Sequence, residues 1–272
     1  MASIAAPEGV RRRRWQRFTA AQRTARFMVY LILVAAIVTA AQTIEIIPEF
    51  LADAPEQIGD LLARMWPIDW RAYRTDVHGA LIETIHIASL GTLLALVLAL
   101  PVGLLAAHNL VKFTPLNLIA KLILVSSRSV NSLVWALLFV GIFGPGALAG
   151  TLAIAFRSIG FVGKLFGEAL EEAEPGPIEA LAATGAPWRS VLAFGYWPQV
   201  KPAFWSIALF RFDINVRESA VLGLVGAGGI GMTLDAALNL FQWERVALIL
   251  VAILAVVIVT EIVVTQIRKR ML

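Results

Sequence analysis

The sequence predicts an all-α membrane protein with six transmembrane helices. Hydrophobic residues make up 59% of its 272 residues and charged residues only 15%. Several apolar runs reach the roughly 20 residues that a helix needs to cross a bilayer. The charges collect between those runs, with basic clusters at both chain ends and an acidic cluster after the first run. The formal net charge of +4 therefore reads as membrane topology, with the lipid bilayer as the partner and no nucleic-acid surface. Cysteine is absent, which leaves no disulfide framework and no thiolate metal site. His78, His86 and His108 are widely scattered, which argues against a metal centre.

The elements follow in order. Residues 1–26 form a basic cytoplasmic tail in which Arg11 to Arg14, Arg17, Arg23 and Arg26 stop where the membrane begins. Residues 27–47 form the first transmembrane helix, whose span length argues against a cleaved signal peptide. Residues 48–78 are an external segment whose acids (Glu49, Asp53, Glu56, Asp60, Asp69, Asp76) outnumber its arginines (Arg64, Arg71, Arg74). Leu51, Ile58, Leu61, Leu62 and Met65 give it an amphipathic helix, and Trp66, Trp70 and Tyr73 suit an interface.

The core transmembrane domain is 79–267. Its second span runs over Gly79–Ala107, is long enough to tilt, and meets Pro101 as a predicted kink. Glu83 and His86, near its outer end, read as hydrogen-bonding partners of a neighbouring helix. The third span runs from Leu116 to Phe143 and the fourth from Leu148 to Leu165, with Lys164 placed to snorkel at its inner end. The fifth runs from Pro202 to Leu224 and the sixth from Val246 to Ile267, followed by a basic cytoplasmic end at 268–272. Six spans with both termini inside put the 169–201 loop in the cytoplasm and the acidic segment outside.

That loop contains the stretch EALAATGAPWRSVLAFGYWP, Glu179 to Pro198, a long polar interruption in an apolar sequence. Small residues (Ala180, Ala182, Ala183, Thr184) favour a compact helix that another surface can approach. Gly185 can turn it through a left-handed conformation, and Pro187, after Ala186, can start a second helix. The predicted shape is a helix–turn–helix elbow outside the bilayer. The stretch resembles the EAA loop of permease subunits of bacterial ABC importers, whose pattern is Glu-Ala-Ala, three residues, Gly, nine residues, Ile, one residue, Leu-Pro. Glu179, Ala180, Gly185 and Pro198 match it in identity and spacing, whereas Leu181 replaces the second Ala, Gly195 the Ile and Trp197 the Leu. The resemblance implies that Glu179, Ala180, Leu181, Ala183, Thr184, Gly185, Ala186 and Pro198 couple the chain to a separate ATP-binding subunit.

Polar clusters inside the spans mark a candidate solute pathway. Arg128, within SSRSVNS, and Arg157, beside Ser158, fall near mid-bilayer at roughly 1.5 Å of rise per residue. An arginine there costs at least about 2.5 kcal/mol and must face protein or water. The fifth span carries RFDINVRES, in which Arg211, Asp213, Arg217 and Glu218 balance, leaving Arg128 and Arg157 in excess. Two readings stand side by side: pairing with Asp213 and Glu218, or passage of an anionic solute. The pathway candidates are Arg128, Ser129, Asn131, Arg157, Ser158, Asn215, Arg217, Glu218, Ser219 and the glycines Gly226, Gly228 and Gly229. The last three belong to GAGGIG, which formally matches the dinucleotide-binding pattern G-x-G-x-x-G but follows a spanning helix and lies in no βαβ unit. It reads instead as a close-packed or re-entrant turn at the outer end of the fifth span.

The segments LVWALLFVGIFGPGALAG, FRSIGFVGKLFGEALEEAEPGPIEALAATGA and FRFDINVRESAVLGLVGAGGIG resemble phosphonate importer permeases over about residues 80 to 272. The resemblance implies a type I ABC importer permease fold and a complex of two permeases, identical or paralogous, with two ATP-binding subunits and an external solute-binding protein. It implies a phosphonate, phosphate or phosphite cargo moved by alternating access. GAGGIG alone also resembles methionine importer permeases, so a methionine- or betaine-type importer is the alternative. No cofactor is expected in this chain; ATP and magnesium belong to the partner subunits. The chain carries no G-x-x-x-x-G-K-[ST] phosphate loop and no converging catalytic set, so it is not expected to be an enzyme. An ion-coupled secondary transporter should show inverted repeats, and none is found.

Overall fold

The computed structural model describes residues 18–44 and 47–271, and every element is helical. The arginine run at 11–14 and Arg17 lie outside these residues. Contacts divide the chain into two units, 1–59 and 60–272. In the first, α1 (Ala20–Thr43) opens on Thr19. The Thr19 hydroxyl accepts from the Gln22 N–H and the Gln22 side chain accepts in return from the Thr19 N–H. This capping box starts the helix ahead of the expected residue 27, because Arg23 and Arg26 sit inside its first turns rather than before it. The helix ends at Thr43, before the expected residue 47, with Ile44 already extended, and Pro48 begins α2 (Pro48–Arg64).

In the second unit, a π-helical turn (Tyr73–Val77) leads directly into α3 (His78–Ala106). α3 runs through Pro101 as one continuous helix. It packs along α6 (Ala147–Glu171), the most enclosed of the four unbroken candidate spans among the described residues. Small residues make that approach possible: a Cβ at Gly103 would lie 2.9 Å from the Gly163 carbonyl oxygen, and one at Gly91 2.7 Å from Ile154. Around this pair the buried core is built from Ile87, Ile154, Val162, Phe166 and Leu222.

The expected third span is not a single helix. α4 (Thr114–Ser129) and α5 (Ser132–Phe143) meet at 92° across Val130 and Asn131. The Ser129 hydroxyl bonds back to the Val125 carbonyl, and Asn131 caps α5 by accepting from the Leu133 N–H at 3.2 Å. Side chains that compete for backbone groups in this way end one helix and start the next.

After α6 come α7 (Pro175–Ala183), the short α8 (Trp188–Ser190), a π-helical turn (Val191–Tyr196) and α9 (Trp197–Leu222). A 3-10 turn (Gly223–Val225) and a glycine turn then lead to α10 (Ile230–Asn239), a helix between the expected fifth and sixth spans, and α11 (Trp243–Met271) follows. Among the described residues four helices are individually long and apolar enough to cross a bilayer, and up to six if each bent pair, α4 with α5 and α9 with α10, forms one span.

Candidate functional site

The candidate residues fall at a charged cavity beside the α4–α5 break, in the buried contacts and glycine turn around it, at a second cavity, and in the elbow between α6 and α9.

The cavity has a volume of about 370 Å³ and is lined by Asn131, Ser132, Arg157, Arg217, Glu218 and Val221, among others. α6 supplies Arg157, α9 supplies Arg217 and Glu218, and the helix break supplies the first residues of α5. Glu218 stands between two guanidinium groups. Arg157 donates to its Oε1, and Arg211 Nη2 lies 3.3 Å from its Oε2. Arg217 pairs with Asp213 one turn back on its own helix, whose other carboxylate oxygen is buried without a hydrogen-bond partner. Three arginines thus face two carboxylates, leaving one formal positive charge. Arg217 is half exposed, and Arg211 is sealed under Phe161, whose ring centroid lies 5.4 Å from its guanidinium carbon.

The expectation that Arg157 lies in excess is corrected, since Glu218 reaches it from α9. A cross-helix pair of this kind joins residues sixty-one positions apart and leaves no trace in local spacing. Arg128 does not enter this cavity. It ends α4 on another face, toward a second cavity that also holds Lys121 and Lys164. Ser158 and Asn215 are fully buried behind the arginines rather than lining the cavity. The Ser158 hydroxyl accepts from Arg211 Nε at 2.9 Å and donates to Asn215 Oδ1 at 3.2 Å, and the Asn215 amide donates to the Thr92 hydroxyl at 2.8 Å. This chain of bonds ties α3, α6 and α9 together and fixes the Arg211 fork. Ser219 is likewise buried, donating to the Val216 carbonyl, and Ser129 bonds back along α4. Thr92 was missed in the sequence because a lone threonine in an apolar run gives no sign that its hydroxyl has a buried partner.

Gly226, Gly228 and Gly229 have φ of 83°, 86° and 71°, a left-handed region that disfavours other residues. The turn they form is packed, not open. A Cβ at Gly228 would lie 2.7 Å from the Ala147 nitrogen and one at Gly229 2.6 Å from the Thr84 hydroxyl. That hydroxyl, also unforeseen, accepts from the Ile230 N–H at 2.8 Å, and the Gly226 carbonyl accepts from Gly146 at 2.9 Å. The turn pins α9 and α10 against the starts of α3 and α6.

In the elbow, Gly185 has φ 77° and Pro187 caps α8, giving a helix, a left-handed turn and a second helix. Glu179, Ala180, Ala183, Thr184, Gly185 and Pro198 are exposed, whereas Leu181 and Ala186 are half-buried. Trp188 and Phe194 also stand exposed on this surface. The inner face packs Ile178, Leu181 and Leu192 with buried Val191, Tyr196 and Phe204. The π turn merges into α9, so the elbow and the arginine-bearing helix are mechanically continuous. Among the described residues, no three carboxylate, histidine or cysteine groups converge where a metal ion could sit.

The sequence matches the family model for the binding-protein-dependent transport system inner membrane component over residues 99–272. It is 40% identical over 197 residues to the phosphite transport system permease protein PtxC of Stutzerimonas stutzeri, covering 72% of this chain and 71% of that one. It is 36% identical over 250 residues to the phosphate-import permease protein PhnE of Mycolicibacterium smegmatis, covering 92% of this chain and 47%, about half, of the relative. The fold is similar to that of an inward-facing MetNI methionine ABC transporter structure, with a TM-score of 0.64 at 21% identity over 72% of this chain and 96% of that one.

Proposed function

Because the chain belongs to the family of binding-protein-dependent transport system inner membrane components, we propose that it is the permease subunit of an ATP-driven importer for a small phosphorus oxyanion such as phosphonate, phosphate or phosphite. The observation that carries the cargo class is the cavity at the helix break, where Arg157 and Arg217 flank the start of α5 and one positive charge is left over. Guanidinium forks and a helix N-terminus both complement a multivalent oxyanion. Arg217 is partly exposed and engaged by Asp213, so an anion can borrow it without being trapped. A pathway must release its cargo, and shared donors meet that requirement better than a deep, fully committed site. The relatives named for phosphite and phosphate support the same class.

In this reading the protein is multi-pass with both termini cytoplasmic, and two copies, or one copy and a paralogue, join two ATP-binding subunits and an external solute-binding protein. ATP and magnesium act on the partner subunits, and this chain performs no covalent chemistry. Closure of the ATPases moves the elbow through Glu179, Ala180 and Gly185. The elbow carries α9 with it, and α9 carries Asp213 about 24 Å and Arg217 and Glu218 about 30 Å from its start at roughly 1.5 Å per residue. Rocking α9 against α6 opens and closes the contact between Arg157 and Glu218, which supplies two states of the cavity.

The test is ATP-dependent uptake by the reconstituted complex with its binding protein loaded from a panel of methylphosphonate, phosphate, phosphite, methionine and betaine. Uptake and stimulated ATP hydrolysis with the phosphorus oxyanions alone are expected. Transport of methionine or betaine instead would overturn the cargo assignment.

A further inference from the structure

The second cavity, about 220 Å³, opens between the end of α3, α4 and α6, with Lys121, Arg128, Lys164, Glu168 and Glu171 in its wall. That volume is well above the roughly 10–15 Å³ that admits one water, so it has room for a polyatomic ion. α4 runs antiparallel to α6: its Ser127 hydroxyl accepts from the Gly160 N–H at 3.1 Å, and its Asn117 amide donates to the Ala106 carbonyl at the elbow-side end of α3 at 2.6 Å. Lys121 and Arg128 lie seven residues, two turns, apart on one face of α4, as do Arg157 and Lys164 on α6. Lys121, Arg128 and Lys164 line this cavity, whereas Arg157 lines the other one.

Glu168 holds Lys164 at 3.2 Å, and Glu171 accepts from the uncharged His108 N–H at 2.7 Å, so three cations and two carboxylates leave the wall one formal positive charge. Among the described residues neither Lys121 nor Arg128 enters an ion pair. Lys121 and Arg128 are both exposed and open on this cavity without a carboxylate partner among those residues, so their donors are free for an anion. The two cavities are neighbours along the chain, because Asn131 lines the first and Arg128 the second across the α4–α5 break.

We propose that this cavity is a second oxyanion site on the elbow side, which holds a phosphoryl group through Lys121 and Arg128. The inference rests on the oxyanion reading above when the occupant is free cargo leaving toward the elbow. A phospholipid headgroup offers the same chemistry from the bilayer. In either case occupation from the elbow side competes with cargo arriving from the arginine cavity.

The experiment uses the whole complex in liposomes with ATP enclosed, the binding protein outside, and inorganic phosphate or methylphosphonate enclosed at rising concentration. Initial uptake of labelled cargo is measured relative to each variant's own rate without enclosed anion. Enclosed oxyanion is expected to inhibit the wild type, and Lys121→Gln or Arg128→Gln to raise the half-inhibiting concentration at least tenfold, with Lys121→Arg restoring it. Two independent substitutions keep the test usable if one variant fails to assemble. Parallel liposomes of phosphatidylcholine alone and with phosphatidylglycerol separate the sources: inhibition in both assigns the site to free oxyanion, and inhibition suppressed by phosphatidylglycerol assigns it to a headgroup. No inhibition in either lipid, or unchanged half-inhibition in both variants, overturns the proposal. A wild type that imports only methionine or betaine but is still inhibited by enclosed phosphate would overturn the cargo reading and leave this site standing.

Discussion

Leu181 fills the space that Gly195 leaves open. A Cβ at Gly195 would lie 3.4 Å from Leu181 Cδ1 and 3.4 Å from Ile178, with Gly195 itself buried in the elbow. The EAA pattern has a small residue where this chain has Leu181 and a large one where it has Gly195. The two departures are one exchange of volume across the inner face of the elbow. Gly195→Ile alone should overpack it at a cost of about 1–3 kcal/mol. Leu181→Ala alone should leave a gap, and the double variant should recover most of both losses. Melting temperatures of the four forms make a double-mutant cycle, and additive losses would show that the positions do not compensate.

Gly185 makes a different demand. Nothing lies within 4 Å of a Cβ built there, but its φ is +77°. A side chain is opposed by backbone strain rather than by space, and asparagine tolerates that conformation far better than a β-branched residue. Gly185→Val should therefore uncouple ATP hydrolysis from uptake while Gly185→Asn retains both. Glu179→Arg, on the exposed face, should uncouple without affecting the permease's own stability. Uptake per ATP hydrolysed measures each, and wild-type ratios for Val and Arg would refute docking through this face.

The orientation is testable with single cysteines, since the native chain has none. Gln57 on α2 and Arg189 on α8 are both exposed. Cysteine at 57 should react with an impermeant reagent applied to intact cells, and cysteine at 189 only after permeabilisation. The opposite pattern would invert the topology and remove the elbow from the ATPase side.

What the sequence made legible is what has a local signature. Apolar runs announce helices, and Gly185 followed by Pro187 announces a turn and a restart, which the structure contains. The break at Val130–Asn131 was hidden because the apolar window extends across it, although Ser129 and Asn131 are the residue types that end and begin helices. α10 was hidden by the glycines before it, which read as loop. The pairing of Arg157 with Glu218, and the hydroxyls of Thr84 and Thr92, depend on which faces meet between helices distant in sequence. Charge counting along α9 found its acids but could not show that one of them serves two arginines.

That sharing makes Glu218 and Arg217 respond differently to neutralisation. Glu218 is mostly buried and holds both Arg157 and the nearly inaccessible Arg211. Glu218→Gln leaves two cations without their carboxylate, a loss of about 3–5 kcal/mol for a broken buried pair, and should lower expression and melting temperature. Arg157→Gln should cost less, because Arg211 still neutralises Glu218, and combining it with Glu218→Gln should recover part of the stability lost in Glu218→Gln. Arg217 is half exposed, and glutamine there keeps an amide donor for Asp213. Its stability loss should be smaller than that of Glu218→Gln, because it leaves one buried carboxylate, Asp213, short of a cation rather than two cations short of a carboxylate. If the cavity conducts oxyanions, Arg217→Gln should nevertheless slow uptake about tenfold, which corresponds to about 1.4 kcal/mol and lies within the worth of one charge-assisted contact. Arg217→Lys should recover only part of that rate, since a point charge does not reproduce the fork. Uptake and melting curves on the same preparations separate the roles. Wild-type uptake by Arg217→Gln would reduce this arginine to a structural partner of Asp213.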